Sequence, residues 1–290
     1  MHVGFVGTGN MGRPMAANLL KAGHSLVVYD ARREATAPLE AAGATRAADL
    51  AALARDARVV FTSLPDDRAV EAVLLGADGH GGLMAGARPG DVVFDLSTVA
   101  PDTTRRLAAR AAVGGVRLID APVSGSVSGA AAGTLAVMLG ATAEAVAPYE
   151  PLLRAIGTHL FYLGEIGRGN ILKLLNNLVA LTNQAVLAEA LALADRLGVD
   201  RRTAGDVLRR SSGASFILER KLPALVARDY RPGFFVSLAR KDVGLALDLA
   251  RSVGARAGVG GEAWRLYDEA VRAGFGELDS AGILRVLEPT

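Results

Sequence analysis

The chain has 290 residues, 51% of them hydrophobic, 21% charged and 5% aromatic, which supports a large buried core shared between two domains and excludes disordered, collagenous and disulfide-scaffolded classes. It contains no cysteine, so disulfides, thiolate metal sites and a thiol nucleophile are excluded and a reducing, cytoplasmic setting is expected. Thirty-two Lys and Arg against thirty Asp and Glu leave a formal charge of +2, too little to neutralise a row of phosphates, so nucleic acid is not indicated as a partner.

The opening MHVGFVG lacks the basic run, long apolar stretch and cleavage site of a secretory signal, and no export is expected. Residues 2–6 read as a strand that runs directly into Gly7-Thr8-Gly9-Asn10-Met11-Gly12, and residues 13–21 read as the helix that follows, ended at Gly23. This is GxGxxG between a strand and a helix. The first glycine permits the tight turn, the second lets backbone approach a pyrophosphate, and the third lets helix pack on strand. Backbone N–H groups of the loop, Asn10 and Met11 included, then face the phosphates at the positive end of the helix. The next strand, residues 26–30, ends in Asp30, twenty-three residues after Gly7. An acidic side chain there accepts from a ribose 2′-hydroxyl and repels a 2′-phosphate, which favours NAD. Arg32 and Arg33 leave NADP open, since either guanidinium has the reach for a 2′-phosphate.

Further short runs at residues 58–63, 91–95, 116–120, 135–139 and 158–163 read as strands separated by Ala-rich helical stretches. Apolar runs without polar alternation suit strands buried on both faces, so the expected fold is α/β with a Rossmann-like, doubly wound parallel sheet over residues 1–163. After Gly169 the pattern is helical only. A long helix over about 170–197 is followed by about five more, punctuated near Gly198, Ser211-Ser212-Gly213, Arg231-Pro232-Gly233, Gly254 to Gly261 and Gly274 to Gly276. Residues 164–290 are therefore expected to form an all-α substrate and oligomerisation domain, joined by the long helix, which lines a cleft against the first. Lys173, Asn176, Asn177, Asn183, Gln184, Glu189, Asp195 and Arg196 interrupt that helix too often for a bilayer span, and a buried helix is expected.

Three motifs carry chemistry: Asp120-Ala-Pro-Val-Ser-Gly125, continuing to Gly129 through Leu135; Gly164-Glu-Ile-Gly-Arg-Gly169; and Lys173-Leu-Leu-Asn-Asn177. With the opening GFVGTGNMGRPMAANL, and with Lys241-Asp-Val-Gly-Leu-Ala246 and Asp279-Ser280-Ala281, they resemble the β-hydroxyacid dehydrogenase family along the whole chain. That family includes 3-hydroxyisobutyrate dehydrogenase and tartronate semialdehyde reductase and is related to 6-phosphogluconate dehydrogenase. The resemblance implies an NAD- or NADP-dependent oxidoreductase of a short hydroxy acid or its semialdehyde. It implies Lys173 as catalytic acid/base, Asn177 as the amide that orients substrate, and Ser124 with Gly125 as the holders of its carboxylate. It also implies Leu64, Pro65 and Thr98 around the nicotinamide, and Lys241 closing over cofactor and substrate. The family often has a second glycine where this chain has Ser126, which bears on loop shape and substrate preference.

Helix geometry supports the pairing, because residues four apart share a face and Lys173 projects beside Asn177. A desolvated lysine can take the hydroxyl proton while hydride leaves carbon, and in the reducing direction it stabilises the alkoxide and returns the proton. Blander readings stand beside each assignment: a snorkelling lysine, a satisfied buried amide, an ordinary turn, and a solvated Lys241-Asp242 pair. Against the first, Leu172, Leu174 and Leu175 suggest apolar surroundings. His2, His24, His80 and His159 show no metal spacing, and neither Gly-x-Ser-x-Gly nor Gly-Lys-Ser/Thr occurs, so no metal, esterase or triphosphatase site is expected. An imine reductase on the same fold is disfavoured by Lys173, and a non-catalytic NAD(P) sensor by the intact motifs. The Leu-, Ala- and Val-rich second half suggests a homodimer or homotetramer. The pocket side chains at Ser126, Ser215, Phe216, Phe234 and Phe235 leave the substrate's own side chain undetermined.

Overall fold

The computed structural model describes residues 1–77 and 80–288. The chain forms two compact units, Met1–Lys173 and Leu174–Thr290. Among the described residues of the first, the main sheet has six parallel strands: β1 His2–Val6, β2 Ser25–Tyr29, β3 Thr45–Arg46, β4 Val59–Thr62, β5 Val92–Asp95 and β6 Arg117–Asp120. Their spatial order, β3-β2-β1-β4-β5-β6, is the doubly wound arrangement, with the direction of winding reversing between β1 and β4, where such sheets bind ligands. The crossovers between these strands use helices α1 Gly12–Lys21, α2 Ala37–Ala41, α3 Leu50–Asp56, α4 Asp67–Leu75 and α5 Pro101–Val113.

Strand register builds both the core and the site edge. Phe5, Phe61 and Phe94 are direct partners across β1, β4 and β5, so one face carries a row of three fully buried rings, stacked with centroids 6.1 and 5.2 Å apart. Tyr149 meets the last edge-on at 5.5 Å. Val6, Thr62, Asp95 and Asp120 are likewise aligned across neighbouring strands. All the carboxyl ends of these strands therefore finish level, and the loops that follow emerge along one edge.

The last two expected strands do not extend this sheet. Ala136–Leu139 (β8) pairs parallel with His159–Tyr162 (β9) and antiparallel with the short β7, Val123–Ser124, because the chain turns back at Pro122, whose carbonyl accepts from Met138 N. Helices α6 Ser126–Ala132, α7 Ala143–Val146 and α8 Glu150–Ile156 complete this layer.

Helix α9, Arg168–Arg196, runs from the first unit into the second. Its 29 residues are long and apolar enough to cross a membrane by length and composition. Leu181, Ala185, Ala188 and Leu191 are nevertheless buried in the core of the second unit with Val236, Val243, Tyr267 and Ile283, and buried Gln184 bonds Ser280 at 3.0 Å. Then come α10 Arg201–Arg209, α11 Phe216–Ala227, α12 Val236–Ser252 and α13 Gly258–Ala270. Asp200 and Ser215 cap α10 and α11 by accepting from Thr203 N and Leu218 N. Two expected breaks are partly helical: α13 starts inside the Gly254–Gly261 stretch, and a π-helical turn, Val271–Phe275, spans Gly274 at φ +84°. Arg201, buried, ties Asp195 (2.6 Å) and Glu288 (2.7 Å) together near the carboxyl end.

Candidate active site

The loop after β1 shows what each glycine is for. Gly7 has φ +87°, and a Cβ there would run into the Ser63 carbonyl; a Cβ on Gly12 would collide with the carbonyl oxygen of Gly7. Those two residues are dictated by the protein itself. A Cβ on Gly9 would meet nothing within 4 Å, so folding does not require glycine there, whereas a pyrophosphate lying on the loop would. The first turn of α1 carries no acidic residue and Met11 makes no side-chain cap, leaving the positive helix end to an anion.

Asp30, following β2, reaches back to this loop. Its Oδ2 accepts from Thr8 N (2.8 Å) and Thr8 Oγ1 (3.3 Å), and its Oδ1 accepts from Arg32 N (2.9 Å). A carboxylate has about four acceptor positions, so Asp30 both shapes the loop and keeps capacity for a ribose hydroxyl. Arg32 Nε lies 3.8 Å from Asp30 Oδ1. Loop and carboxylate together fit a dinucleotide.

Next along the same edge, Leu64 is half-buried, Pro65 exposed and Thr98 half-buried. Leu64 N donates to Ser97 Oγ at 2.9 Å. Beneath them Asp95, buried, accepts from Thr62 Oγ1 (2.8 Å) and Ser97 N (3.1 Å), and burial pushes its carboxyl up from the ordinary range against these donors. Ser124 ends β7 opposite Ala136. Gly125 follows at φ +138°, with Leu135 Cδ2 2.9 Å from the place of a Cβ. Ser126 holds φ +66°, a left-handed conformation uncommon for a non-glycine residue, and its Oγ lies 3.1 Å from Ser128 Oγ.

Two residues that the sequence reading left without a role, Asp120 and Asn170, govern the start of α9. Asp120, fully buried at the end of β6, accepts from Gly167 N at 2.8 Å through Oδ1 and from Asn170 N at 2.9 Å through Oδ2. Burial drives its carboxyl upward, opposed by these backbone donors. Gly169 fits because a Cβ would stand 2.8 Å from Asp120 Oδ2, and Gly140 because one would strike the carboxylate. Asn170, also fully buried, accepts from Val99 N (3.2 Å) and donates to Thr104 Oγ1 (3.0 Å). The first turn of α9 is thus gripped on two sides, and Lys173, half-buried, stands three residues beyond Asn170. The leucines around it are not all buried: Leu174 is, but Leu172 and Leu175 are exposed.

In the second unit, Asn177 Nδ2 donates to Asp242 Oδ2 at 2.6 Å, and Lys241 Nζ stands 3.1 Å from Asp242 Oδ1. Asp242 is only 2% exposed, so Lys241-Asp242 is not a solvated pair; the carboxylate links two of the expected site residues. Phe234, Phe216 and Ser215 serve differently: Phe234 packs against the core of this unit, Phe216 is exposed, and Ser215 caps α11.

Residues 2–164 match the model of the NAD binding domain of 6-phosphogluconate dehydrogenase, and residues 167–287 match that of the NAD-binding region of NADP-dependent 3-hydroxyisobutyrate dehydrogenase. The chain is 38% identical to an NAD-dependent L-serine dehydrogenase of Pseudomonas aeruginosa, over 99% of this chain and 98% of the relative. It is 40% identical to a 3-hydroxyisobutyrate dehydrogenase of the same organism (91% and 90%) and 35% identical to a 3-sulfolactaldehyde reductase of Escherichia coli (97% and 94%). The crystal structure of a 3-hydroxyisobutyrate dehydrogenase from Salmonella typhimurium superposes with a TM-score of 0.91 at 30% identity, covering 99% of each chain. An imine reductase from a Pseudomonas species shares the fold at 20% identity, with a TM-score of 0.67. With both halves matched and these relatives aligned along nearly its whole length, the chain belongs to the β-hydroxyacid dehydrogenase family of NAD(P)-dependent oxidoreductases.

Proposed function

We propose that the chain transfers hydride between NAD and a short β-hydroxy acid or its semialdehyde, with Lys173 as the acid/base. The observation that carries this reading is the doubly gripped start of α9, which fixes the backbone one turn before Lys173, with Asn177 four residues on and steadied by Asp242. When bound, the nicotinamide accepts hydride from the carbinol carbon or delivers it to the aldehyde. In oxidation, neutral Lys173 Nζ takes the hydroxyl proton as the C–H bond breaks; in reduction, the ammonium returns it to the alkoxide oxygen. Asn177 orients the reacting oxygen, and Ser124 with the backbone of Gly125 receives the carboxylate.

The activities for which the relatives are named support the substrate class, since serine, 3-hydroxyisobutyrate and 3-sulfolactaldehyde are short, anionic or zwitterionic, and carry a reacting alcohol or aldehyde. Asp30 supports NAD; the arginines beside it keep NADP as the second cofactor to assay. The same proposal includes a homo-oligomer and a cytoplasmic setting, the latter supported by the cysteine-free composition.

The test is turnover of a panel of 3-hydroxyisobutyrate, D-glycerate, serine, 4-hydroxybutyrate and the corresponding semialdehydes, with NAD and then NADP, by Lys173→Ala beside the unaltered protein. Loss of a general acid/base lowers kcat by about 10²–10⁴-fold, with NAD affinity kept. A variant that retains most of its kcat overturns the assignment.

A further inference from the structure

Helices α4 and α5 are neighbours on one face of the main sheet, and an ion pair joins them part-way along. Arg106 of α5 holds Glu71 of α4 through both carboxylate oxygens, at 2.7 and 2.9 Å. Four residues further along each helix, on the same faces, stand Arg110 and Leu75. There the two helix ends and the chain leading into β5 enclose a cavity of about 460 Å³. Leu75, Met84, Ala87, Val113 and Val116 give it apolar walls. All but Val113 belong to or rest on the core of the first unit, whereas Val113 is 89% exposed at the rim. Ala87 and Val116 stand just before β5 and β6, so the cavity lies at the amino ends of the strands. The glycine loop and Asp95 lie at the opposite edge, and the cavity is no part of the dinucleotide site.

Two features of its wall are not required by the fold. The end of α5 is closed by its own backbone: Gly115 N and Val116 N donate to the carbonyls of Ala112 and Ala111 at 2.9 and 3.1 Å, with Gly115 at φ +71° as the left-handed residue that such an ending uses. Gly114, by contrast, has an ordinary φ of −86°, and a Cβ on it would meet only the Ala111 carbonyl oxygen, at 3.6 Å. Neither conformation nor crowding calls for glycine there, and its effect is to leave the cavity wall bare. Arg110 is the second feature. Among the described residues its guanidinium makes no hydrogen bond or ion pair, since Glu71 is already held by Arg106, yet it lines the cavity. An arginine in a last turn suits the helix dipole, but that effect needs no apolar cavity beside it.

Small ligands use pockets of about 300–1,000 Å³ with apolar walls and a few polar groups, and the chemistry of this one is narrow. The walls take an aliphatic chain, and a guanidinium takes a carboxylate by two parallel hydrogen bonds. Among the described residues no acidic side chain lines the cavity, so an amine finds no partner. A second carboxylate on the ligand would lose water with no second cation to offset the loss. We propose that this cavity is a binding site for an aliphatic monocarboxylate, its carboxylate on Arg110 and its chain against Leu75, Met84 and Val116, in the space that Gly114 leaves open. The inference does not depend on the substrate or on the role of Lys173.

The probe is carbon-14-labelled octanoate, measured by equilibrium dialysis against the full chain saturated with NAD. One equivalent is expected to bind with a Kd of about 0.1–1 mM, ordinary for a ligand of about ten non-hydrogen atoms. Arg110→Gln removes the guanidinium and Gly114→Leu fills the wall; each is expected to weaken octanoate at least about tenfold while NAD affinity is kept. Lys173→Ala is expected to leave octanoate binding unchanged, and octylamine, of the same length and opposite charge, to displace no label. The proposal is overturned if the unaltered protein shows no saturable binding, if either cavity variant binds octanoate as tightly as the unaltered protein, or if octylamine displaces it. Loss of binding in Lys173→Ala overturns it as well, because octanoate then occupies the catalytic cleft.

Discussion

Asp120→Asn tests how the start of α9, which carries Lys173, is held. In the native protein both carboxylate oxygens are used, Oδ1 by Gly167 N at 2.8 Å and Oδ2 by Asn170 N at 2.9 Å, and the residue is fully buried. Asparagine keeps one acceptor and points its NH₂ at the other donor, leaving one backbone N–H buried and unpaired. That costs about 1–3 kcal/mol, and the surviving bond loses its charge assistance, so about 2–4 kcal/mol is the expected local penalty. The side chain cannot move aside, because Gly140 and Gly169 close around it with no room for even a methyl group. The first turn of α9 must yield instead, and with it the backbone that carries Lys173.

The two compact units need not unfold together, so a single denaturation midpoint is a poor measure. Hydrogen exchange resolves the site: amides 167 and 170 are expected to exchange about 30-fold or more faster, while the amides of β1 and β4 keep their protection. In turnover, a displacement of about 1 Å in a catalytic group costs up to about 10²-fold, so kcat should fall by about 10- to 100-fold with NAD affinity unchanged. A double-mutant cycle separates positioning from general damage. If Asp120 acts through Lys173, adding Asp120→Asn to Lys173→Ala lowers the residual rate no further. An equal fold loss in both backgrounds, or unchanged exchange at amides 167 and 170, refutes the reasoning.

The glycines of the first loop give a paired prediction: Gly12→Ala should lower stability by about 3 kcal/mol or more, because its methyl group has to displace a backbone carbonyl. Gly9→Ala should leave the melting temperature within about 1 °C and weaken NAD at least about tenfold in a fluorescence titration; equal effects at both positions would sink the distinction. For pH, Asp95 is informative, since burial raises its carboxyl above the ordinary range. The native state then holds a proton that the unfolded chain has released, so this group makes stability fall as pH rises from the ordinary carboxylate range through the raised one, by about 1.4 kcal/mol for each pKa unit. Asp95→Asn keeps the oxygen that Thr62 and Ser97 use and removes that slope. Its melting temperature relative to the unaltered protein should therefore improve between pH 4 and pH 8, and a constant difference across that range would contradict the sign.

The cofactor half was legible because its signals are local. A glycine loop between a strand and a helix, with an acid ending the next strand, spans thirty residues, and the short apolar runs of β1, β2, β4, β5 and β6 are recognisable one at a time. The two-residue strands β3 and β7 carry no such run, and no property of Leu135 to Leu163 taken alone says that β8 and β9 leave the main sheet. The roles of Asp120 and Asn170 escaped for a related reason. An aspartate ending a strand looks the same whether it meets water or two amides nearly fifty residues away, and Asp242 beside Lys241 looks like a surface pair until Asn177 is brought to it. Apolar letters mislead in the opposite sense. Leu172 and Leu175 read as shelter for Lys173, yet both are exposed, because composition states that a side chain avoids water without stating what will cover it. In α9 the same leucines and valines serve two surfaces: Leu181, Ala185, Ala188 and Leu191 face a core made by their own chain, while Leu175, Val179, Val186 and Leu193 face outward. Burial separates the two sets, which the helical periodicity of the letters runs together.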